Sequence, residues 1–221
     1  MAINLGSTFP NYFVKTTYGN MYLHDWFKDS WGILFSHPAD FTPVCTTELA
    51  RVLQLIDEFK KRNCKVIALS CDPVDTHLKW IKDIEAVAFS YGQKFPYPII
   101  ADEDRDLAVK LQMIDPDEKD AAGIPLAARA VFIIDPKKKM RLSLLYPATT
   151  GRNFNEILRV LDSLQLCDKH KVATPVDWKK GEEVMIQPSV TEEEAKALFP
   201  YINIQIVPSG MKYIRKSAIP D

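Results

Sequence analysis

Trp31-Gly32-Ile33-Leu34-Phe35 runs directly into Ser36-His37-Pro38-Ala39-Asp40-Phe41-Thr42-Pro43-Val44-Cys45-Thr46-Thr47-Glu48, beyond which Leu49, Val52, Leu53, Ile56 and Phe59 recur at helical spacing. The unbroken apolar run reads as a buried strand, and the later recurrence as the inner face of a helix. Thr42 suits the N-cap, and Pro43 suits the first helical position, where the missing N–H has no intrahelical use. Cys45 then falls in the first turn. Unpaired amides and the positive end of the helix dipole favour an anion there. A free thiol, with a pKa of about 8.5, is only slightly ionised near neutrality, whereas a helix N-terminus or a neighbouring cation lowers the pKa to roughly 3.5–7.5. The stretch therefore predicts strand, loop and helix with a reactive thiolate at the junction.

Working outward, Tyr12–Thr16 and Met21–His24 flank Tyr18-Gly19-Asn20 as an N-terminal hairpin. Past the central helix, Lys65–Ser70 reads as a strand, Asp75–Ile84 as a helix, Pro98–Ala101 as a strand and Asp104–Leu111 as a short helix. Such alternation predicts parallel strands covered by helices. Ala130–Ile134 and Met140–Tyr146 predict an antiparallel hairpin turning at Asp135-Pro136, and Phe154–Leu166 a further helix. The expected fold class is thus α/β, with a central mixed sheet, helices around it and a small C-terminal domain. The boundary is placed between residues 1–166 and 167–221. The tail is punctuated by Pro175, Pro188, Pro200 and Pro208, shows one convincing helix, Thr191–Phe199, and is expected to lack a core of its own. It should pack on the body of its own chain or on a second subunit.

Composition excludes several classes of function. Among 221 residues, 28 basic side chains against 29 acidic ones give a net charge of −1, so no overall field draws in nucleic acid or an anionic membrane. The run Lys137-Lys138-Lys139 reads as a solvated turn. No stretch has the length and hydropathy of a membrane span, and no leader or targeting address is evident, so a cytoplasmic location is expected. Cys45, Cys64, Cys71 and Cys167 are irregularly spaced without C-x-x-C, which argues against both a zinc site and a disulfide framework.

Pro38, Thr42 and Cys45 together form P-x-x-x-T-x-x-C, which resembles the active-site motif of the peroxiredoxins. Further segments extend the resemblance over essentially the whole chain and point to the one-cysteine branch: Tyr146-Pro147-Ala148-Thr149-Thr150-Gly151-Arg152-Asn153 and Val172-Ala173-Thr174-Pro175-Val176-Asp177-Trp178. The resemblance implies a thioredoxin-like fold and a thiol-dependent peroxidase that reduces hydrogen peroxide and organic hydroperoxides without metal, haem, flavin or nucleotide. Cys45 would be the peroxidatic nucleophile, Thr42 a hydroxyl serving the reacting oxygens, and Pro38 a shield for the thiolate. Arg129, just before an apolar strand, matches the family's active-site arginine, with Glu48 orienting it through a bidentate pair. Arg152 matches a second family arginine. His37 reads as a site-lining hydrogen-bonder, and His24, His77 and His170 as structural or exposed. An external thiol of the glutathione or thioredoxin type would regenerate the enzyme, since no cysteine follows Cys167 to act as a resolving partner. A homodimer with the tail contributing is expected.

Other readings are a cysteine hydrolase pairing Cys45 with His37, a chaperone or scaffold with an incidental cysteine, and a phospholipase. Members of the branch can carry a lipase-like serine. Here Lys28-Asp29-Ser30-Trp31-Gly32 lacks the first glycine of G-x-S-x-G. Asp135-Pro136-Lys137-Lys138 has lysine where the third carboxylate would stand, so Ser30 and His24 are left with an incomplete triad.

Overall fold

A computed structural model describes residues 3–90 and 94–219, and the chain divides into two compact units, Met1–Phe154 and Asn155–Asp221. In the first unit β1 (Phe13–Val14) pairs antiparallel with β2 (Met21–Tyr22), followed by α1 (Leu23–Phe27), β3 (Trp31–Ser36), α2 (Pro43–Gln54), α3 (Ile56–Lys61), β4 (Cys64–Ser70) and α4 (Val74–Ala88). Then come β5 (Ile99–Ala101), α5 (Asp106–Lys110), β6 (Ile114–Lys119), β7 (Pro125–Ala127), β8 (Arg129–Ile134) and β9 (Met140–Tyr146). The second unit holds most of α6 (Phe154–Lys169), then β10 (Val172–Ala173), β11 (Val184–Ile186), α7 (Glu192–Leu198), β12 (Asn203–Ile204) and β13 (Arg215–Ser217).

The expected mixed sheet is present, with strand order β5-β4-β3-β8-β9. β3 pairs parallel with β4, and β4 with β5, whereas β8 lies antiparallel to both β3 and β9. Burial explains the strand compositions: every residue of β3 and β8 is buried, as an apolar run without alternation requires, while β9 at the sheet's edge alternates from Leu142 onward. Gly32 in β3 is fixed by packing, because a Cβ there would stand 2.5 Å from the ring of the buried Phe27. The topology also places chemistry. Because β8 runs antiparallel to β3, the first residue of β8 lies beside the last residues of β3, where the chain leaves the sheet for the loop before α2.

Several local expectations are corrected. The second N-terminal strand stops at Tyr22 because Leu23 already begins α1, where Leu23 and Phe27 bury one face. The central helix breaks at Leu55, so Ile56 and Phe59 belong to α3. The strand expected over Lys65–Ser70 begins one residue earlier, at Cys64, and the β6–β7 hairpin, a polar strand against one of three residues, carries no alternation that betrays it. The compact units divide at Phe154/Asn155, so that most of α6 is grouped with the tail. The tail also has an apolar cluster of its own, Val172, Trp178, Val184, Ile186, Val190, Ala195 and Phe199, beneath the antiparallel sheet β10-β11-β13-β12. Strands of two or three residues are too short for periodicity to reveal them. Its helix α7 is the expected one, started by a reciprocal capping box between Thr191 and Glu194.

Candidate active site

Three structural segments converge on Cys45. It is fully buried in the first turn of α2, with Thr42 at the N-cap and Pro43 at the first helical position as the sequence predicts. Thr42 does not cap through its side chain. Its Oγ1 donates to the Ala39 carbonyl at 2.8 Å, bracing the loop and leaving the hydroxyl's lone pairs free of that bond, while its carbonyl accepts from both Thr46 N–H and Thr46 Oγ1. Pro38 is buried within the same loop.

Arg129, the first residue of β8, reaches across the end of β3 and places Nη1 at 3.3 Å from Cys45 Sγ. Its other donors are fixed. Nε and Nη2 both donate to the Ala148 carbonyl, at 2.9 and 2.6 Å, and Nη1 also donates to Glu48 Oε2 at 2.9 Å. Glu48 lies one turn beyond Cys45 on α2, and it is Arg152 that holds it bidentately: Nε donates to Oε1 at 2.9 Å and Nη2 to Oε2 at 2.6 Å. The Arg152 main-chain N–H adds a third bond to Oε1 at 2.7 Å. The expected bidentate Glu48–Arg129 pair is therefore a single bond, and Glu48 is a hub between two arginines. Arg152 also donates to the Ala130 carbonyl at 2.7 Å and lies over the rings of Phe35 and Phe154. Burial pushes the Glu48 carboxyl up, but the hydrogen bonds and charge of Arg152, with the charge of Arg129, outweigh it and leave the pKa below the ordinary value. A buried carboxylate between two guanidiniums accepts this burial because every charge is paired. With Cys45 ionised, two cations face two anions.

His37 lies elsewhere in the local network. Its Nε2 pairs with Asp40 Oδ1 at 2.9 Å and its buried Nδ1 has no hydrogen-bond partner among the described residues, so it makes no bond to the sulfur. The other Asp40 oxygen takes His77 Nδ1 at 2.6 Å, and His77 Nε2 lies 3.2 Å from the Ile100 carbonyl. Asp40 N–H donates to Asp72. The His37 ring also packs on Trp80, whose Nε1 donates to Thr46 Oγ1 in the Cys45 turn. Sequence reasoning missed Asp40 and His77 as partners. Asp40 stands in the quoted stretch, but nothing in the sequence distinguishes a buried His77 on α4 from an exposed one.

These networks predict acid sensitivity. Burial drives the His37 pKa below its ordinary value, with Asp40 offsetting only part of the effect. The Asp40 carboxyl is pushed up by burial yet ends below its ordinary value because both imidazoles bond to it. Between the depressed folded pKa of His37 and its unfolded value of about 6.5, the unfolded chain binds the extra proton, so stability falls as pH drops through that window. Asp40 and Glu48 contribute stability above their unfolded values of about 4 that disappears as pH falls through their lower folded values. Thermal midpoints measured from pH 7.5 to 3 should fall in both stages, and His37→Asn should flatten the first. An unchanged first stage in that variant contradicts the assignment.

The residues of the lipase-like alternative are tied elsewhere. Ser30 is buried with its hydroxyl donating to the Phe27 carbonyl at 2.5 Å, the His24 ring lies 2.8 Å from the Phe9 carbonyl, and Asp135 accepts from Lys139 N–H and Arg141.

Known proteins match this chain along its length. Residues 5–143 match the AhpC/TSA family, and residues 163–200 match the C-terminal domain of 1-Cys peroxiredoxin. Peroxiredoxin-6 of Gallus gallus is 59% identical over 219 residues, covering 98% of each chain. Peroxiredoxin-6 of Homo sapiens is 56% identical over 218 residues, covering 98% of this chain and 97% of that protein. The crystal structure of the C45S mutant of peroxiredoxin 6 from Arenicola marina superposes with a TM-score of 0.97 at 57% identity, over 99% of both chains. A yeast mitochondrial 1-Cys peroxiredoxin, described with a thiol resolving mechanism via glutathione/thioredoxin systems, gives a TM-score of 0.86 at 43% identity, over 98% of this chain and 99% of that one. With a buried thiol against an arginine at the start of a helix, on a thioredoxin-like fold, the chain belongs to the peroxiredoxin family, in its one-cysteine, Prx6-like branch.

Proposed function

We propose that Cys45 is the peroxidatic residue of this thiol-dependent peroxidase, with Arg129 as its cation, Thr42 and Pro38 shaping the substrate loop, and Glu48 and Arg152 holding Arg129. The observation that carries this reading is the 3.3 Å contact between Arg129 Nη1 and Cys45 Sγ within a fully paired buried cluster. The thiolate attacks one oxygen of a hydroperoxide, an S–O bond forms as the O–O bond breaks, and the departing oxygen leaves as water or an alcohol after taking a proton. Sulfur is oxidised by two electrons to sulfenic acid and the peroxide is reduced by two. Arg129 faces the sulfur from which electron density moves, so its guanidinium can hold both the thiolate and the incoming oxygens. Hydrogen peroxide and organic hydroperoxides are the proposed substrates.

An external thiol then attacks the sulfenic acid, expelling water to form a mixed disulfide, and a second thiol attacks that disulfide, joining the two external sulfurs and freeing the Cys45 thiolate. The yeast relative's glutathione/thioredoxin systems support a reductant of that type. Cys64 and Cys71 are poorly suited to the task. Burial raises the pKa of Cys64 far above its ordinary value, and burial with the charge of Asp102 pushes Cys71 up to about 11. Free thiols at all four positions fit a reducing, cytoplasmic setting. Residues 1–166 would form the peroxidase domain and 167–221 a C-terminal domain that contributes to a homodimer; exposed Ile206, Met211 and Tyr213 in the tail support that role.

Dimedone tests the one-cysteine cycle. After one equivalent of peroxide it should label Cys45 in the wild type and equally in a Cys64→Ser, Cys71→Ser, Cys167→Ser triple variant, with excess peroxide carrying the label-competent species on to sulfinic acid. Rapid, stoichiometric formation of a Cys45 disulfide with one of the three overturns it.

A further inference from the structure

β3 and β8 keep a regular antiparallel register from Gly32↔Ile134 to Phe35↔Val131, and the next pair in that register would be Ser36 opposite Ala130. Main-chain pairing ends there, because the chain swings toward β4 and His37 N–H donates to the Leu69 carbonyl. The Ser36 side chain takes over. Fully buried, its Oγ donates to the Ala128 carbonyl at 2.5 Å and accepts from Ala130 N–H at 3.0 Å. Those two residues flank Arg129. One hydroxyl therefore grips the backbone on either side of the arginine, at the point where β3 becomes the loop that leads to Cys45.

We propose that Ser36 is a positioning residue for the peroxidase reaction, holding the Arg129 backbone so that its guanidinium meets the Cys45 sulfur. The inference rests on the assignment of Cys45 and Arg129 as the reacting pair. Physically, β8 is held on its other side by β9, where Arg129 pairs with Tyr146, so the Ser36 bonds complete a two-sided clamp at the first residue of the strand. Removing the hydroxyl leaves a buried N–H and a buried C=O without this partner, and the cheapest relief is a local shift of residues 128–130. A guanidinium that must satisfy Ala148, Glu48 and the sulfur together tolerates little displacement, and misplacement of about 1 Å can cost on the order of 10²-fold in rate.

The test uses Ser36→Ala, Arg129→Ala and the double variant in the full-length protein. Two quantities are read: the second-order rate of peroxide reduction, and the pH profile of Cys45 alkylation followed by mass spectrometry of the Cys45 peptide. Ser36→Ala should slow the reaction by about tenfold and move the alkylation profile to higher pH. In the Arg129→Ala background the same change should have almost no further effect, because the group through which Ser36 acts is gone. A lowered melting temperature with an unmoved alkylation profile marks Ser36 as merely structural and overturns the proposal, as do additive effects in the double variant. If Arg129→Ala itself leaves both readings at wild type, the assignment of the reacting pair fails, and the positioning proposal with it. Should Ser36→Ala not fold, the same readings are taken on Ser36→Cys, whose sulfur fills the space but bonds weakly; wild-type readings there also overturn the proposal.

Discussion

Cys45→Ser is expected to lower peroxide turnover by at least about 10³-fold while leaving a folded protein. Serine keeps the shape of the side chain, and Arg129 Nη1, 3.3 Å from the sulfur, can donate to a hydroxyl in its place. The substitution therefore opens no large cavity, and although it leaves two guanidiniums over one carboxylate, Arg129 keeps its bonds to Glu48 and Ala148, so the stability cost should stay within about 1–2 kcal/mol. Chemistry is lost for a different reason. An alcohol is scarcely ionised near neutrality, and oxygen cannot pass through the sulfenic state that stores the two electrons. Peroxide consumption with an external thiol, beside a thermal unfolding curve, separates the two effects. Turnover near wild type would remove Cys45 from its assigned role, whereas loss of both activity and cooperative unfolding would mean the site tolerates less than its geometry implies.

The proposed reacting thiol stands out in the sequence because its signals are local: a buried run, an N-cap threonine, a proline and a cysteine within one turn. Arg129 was legible for another reason, since a charge beside an apolar strand must have a partner. Its partners were less so. The division of labour at Glu48, bidentate to Arg152 and single to Arg129, depends on how three segments meet across 81 and 104 residues of chain. His77 and Asp40 are bonded across 37 residues, and Ser36 reaches Ala128 across 92. Periodicity describes one element at a time and says nothing of such meetings. The same limit hid the tail's core, where strands as short as Val172–Ala173 and Val184–Ile186 bury residues that never repeat often enough to form a pattern.

Arg129→Ala is the substitution that most directly probes how the site holds its charge. With the arginine present and Cys45 ionised, Arg129 and Arg152 balance Glu48 and the thiolate. Without it, a single guanidinium must serve two buried anions. Arg152 is already committed to Glu48 by three hydrogen bonds of 2.6–2.9 Å, so the thiolate is the anion left uncompensated. Cys45 alkylation should accordingly shift to higher pH, and peroxide reduction at neutral pH should slow by about 10²–10³-fold, the scale of losing one preorganised donor from a buried site. Arg129→Lys should recover only part of this. An ammonium restores the charge, but its three donors cannot reproduce the planar fork that bonds Ala148 twice while also meeting Glu48 and the sulfur. Rates at saturating thiol together with alkylation profiles for both variants decide the matter. Equal recovery by lysine would show that charge alone suffices, and an unchanged profile in Arg129→Ala would show that the thiolate is stabilised by the helix terminus without its neighbour.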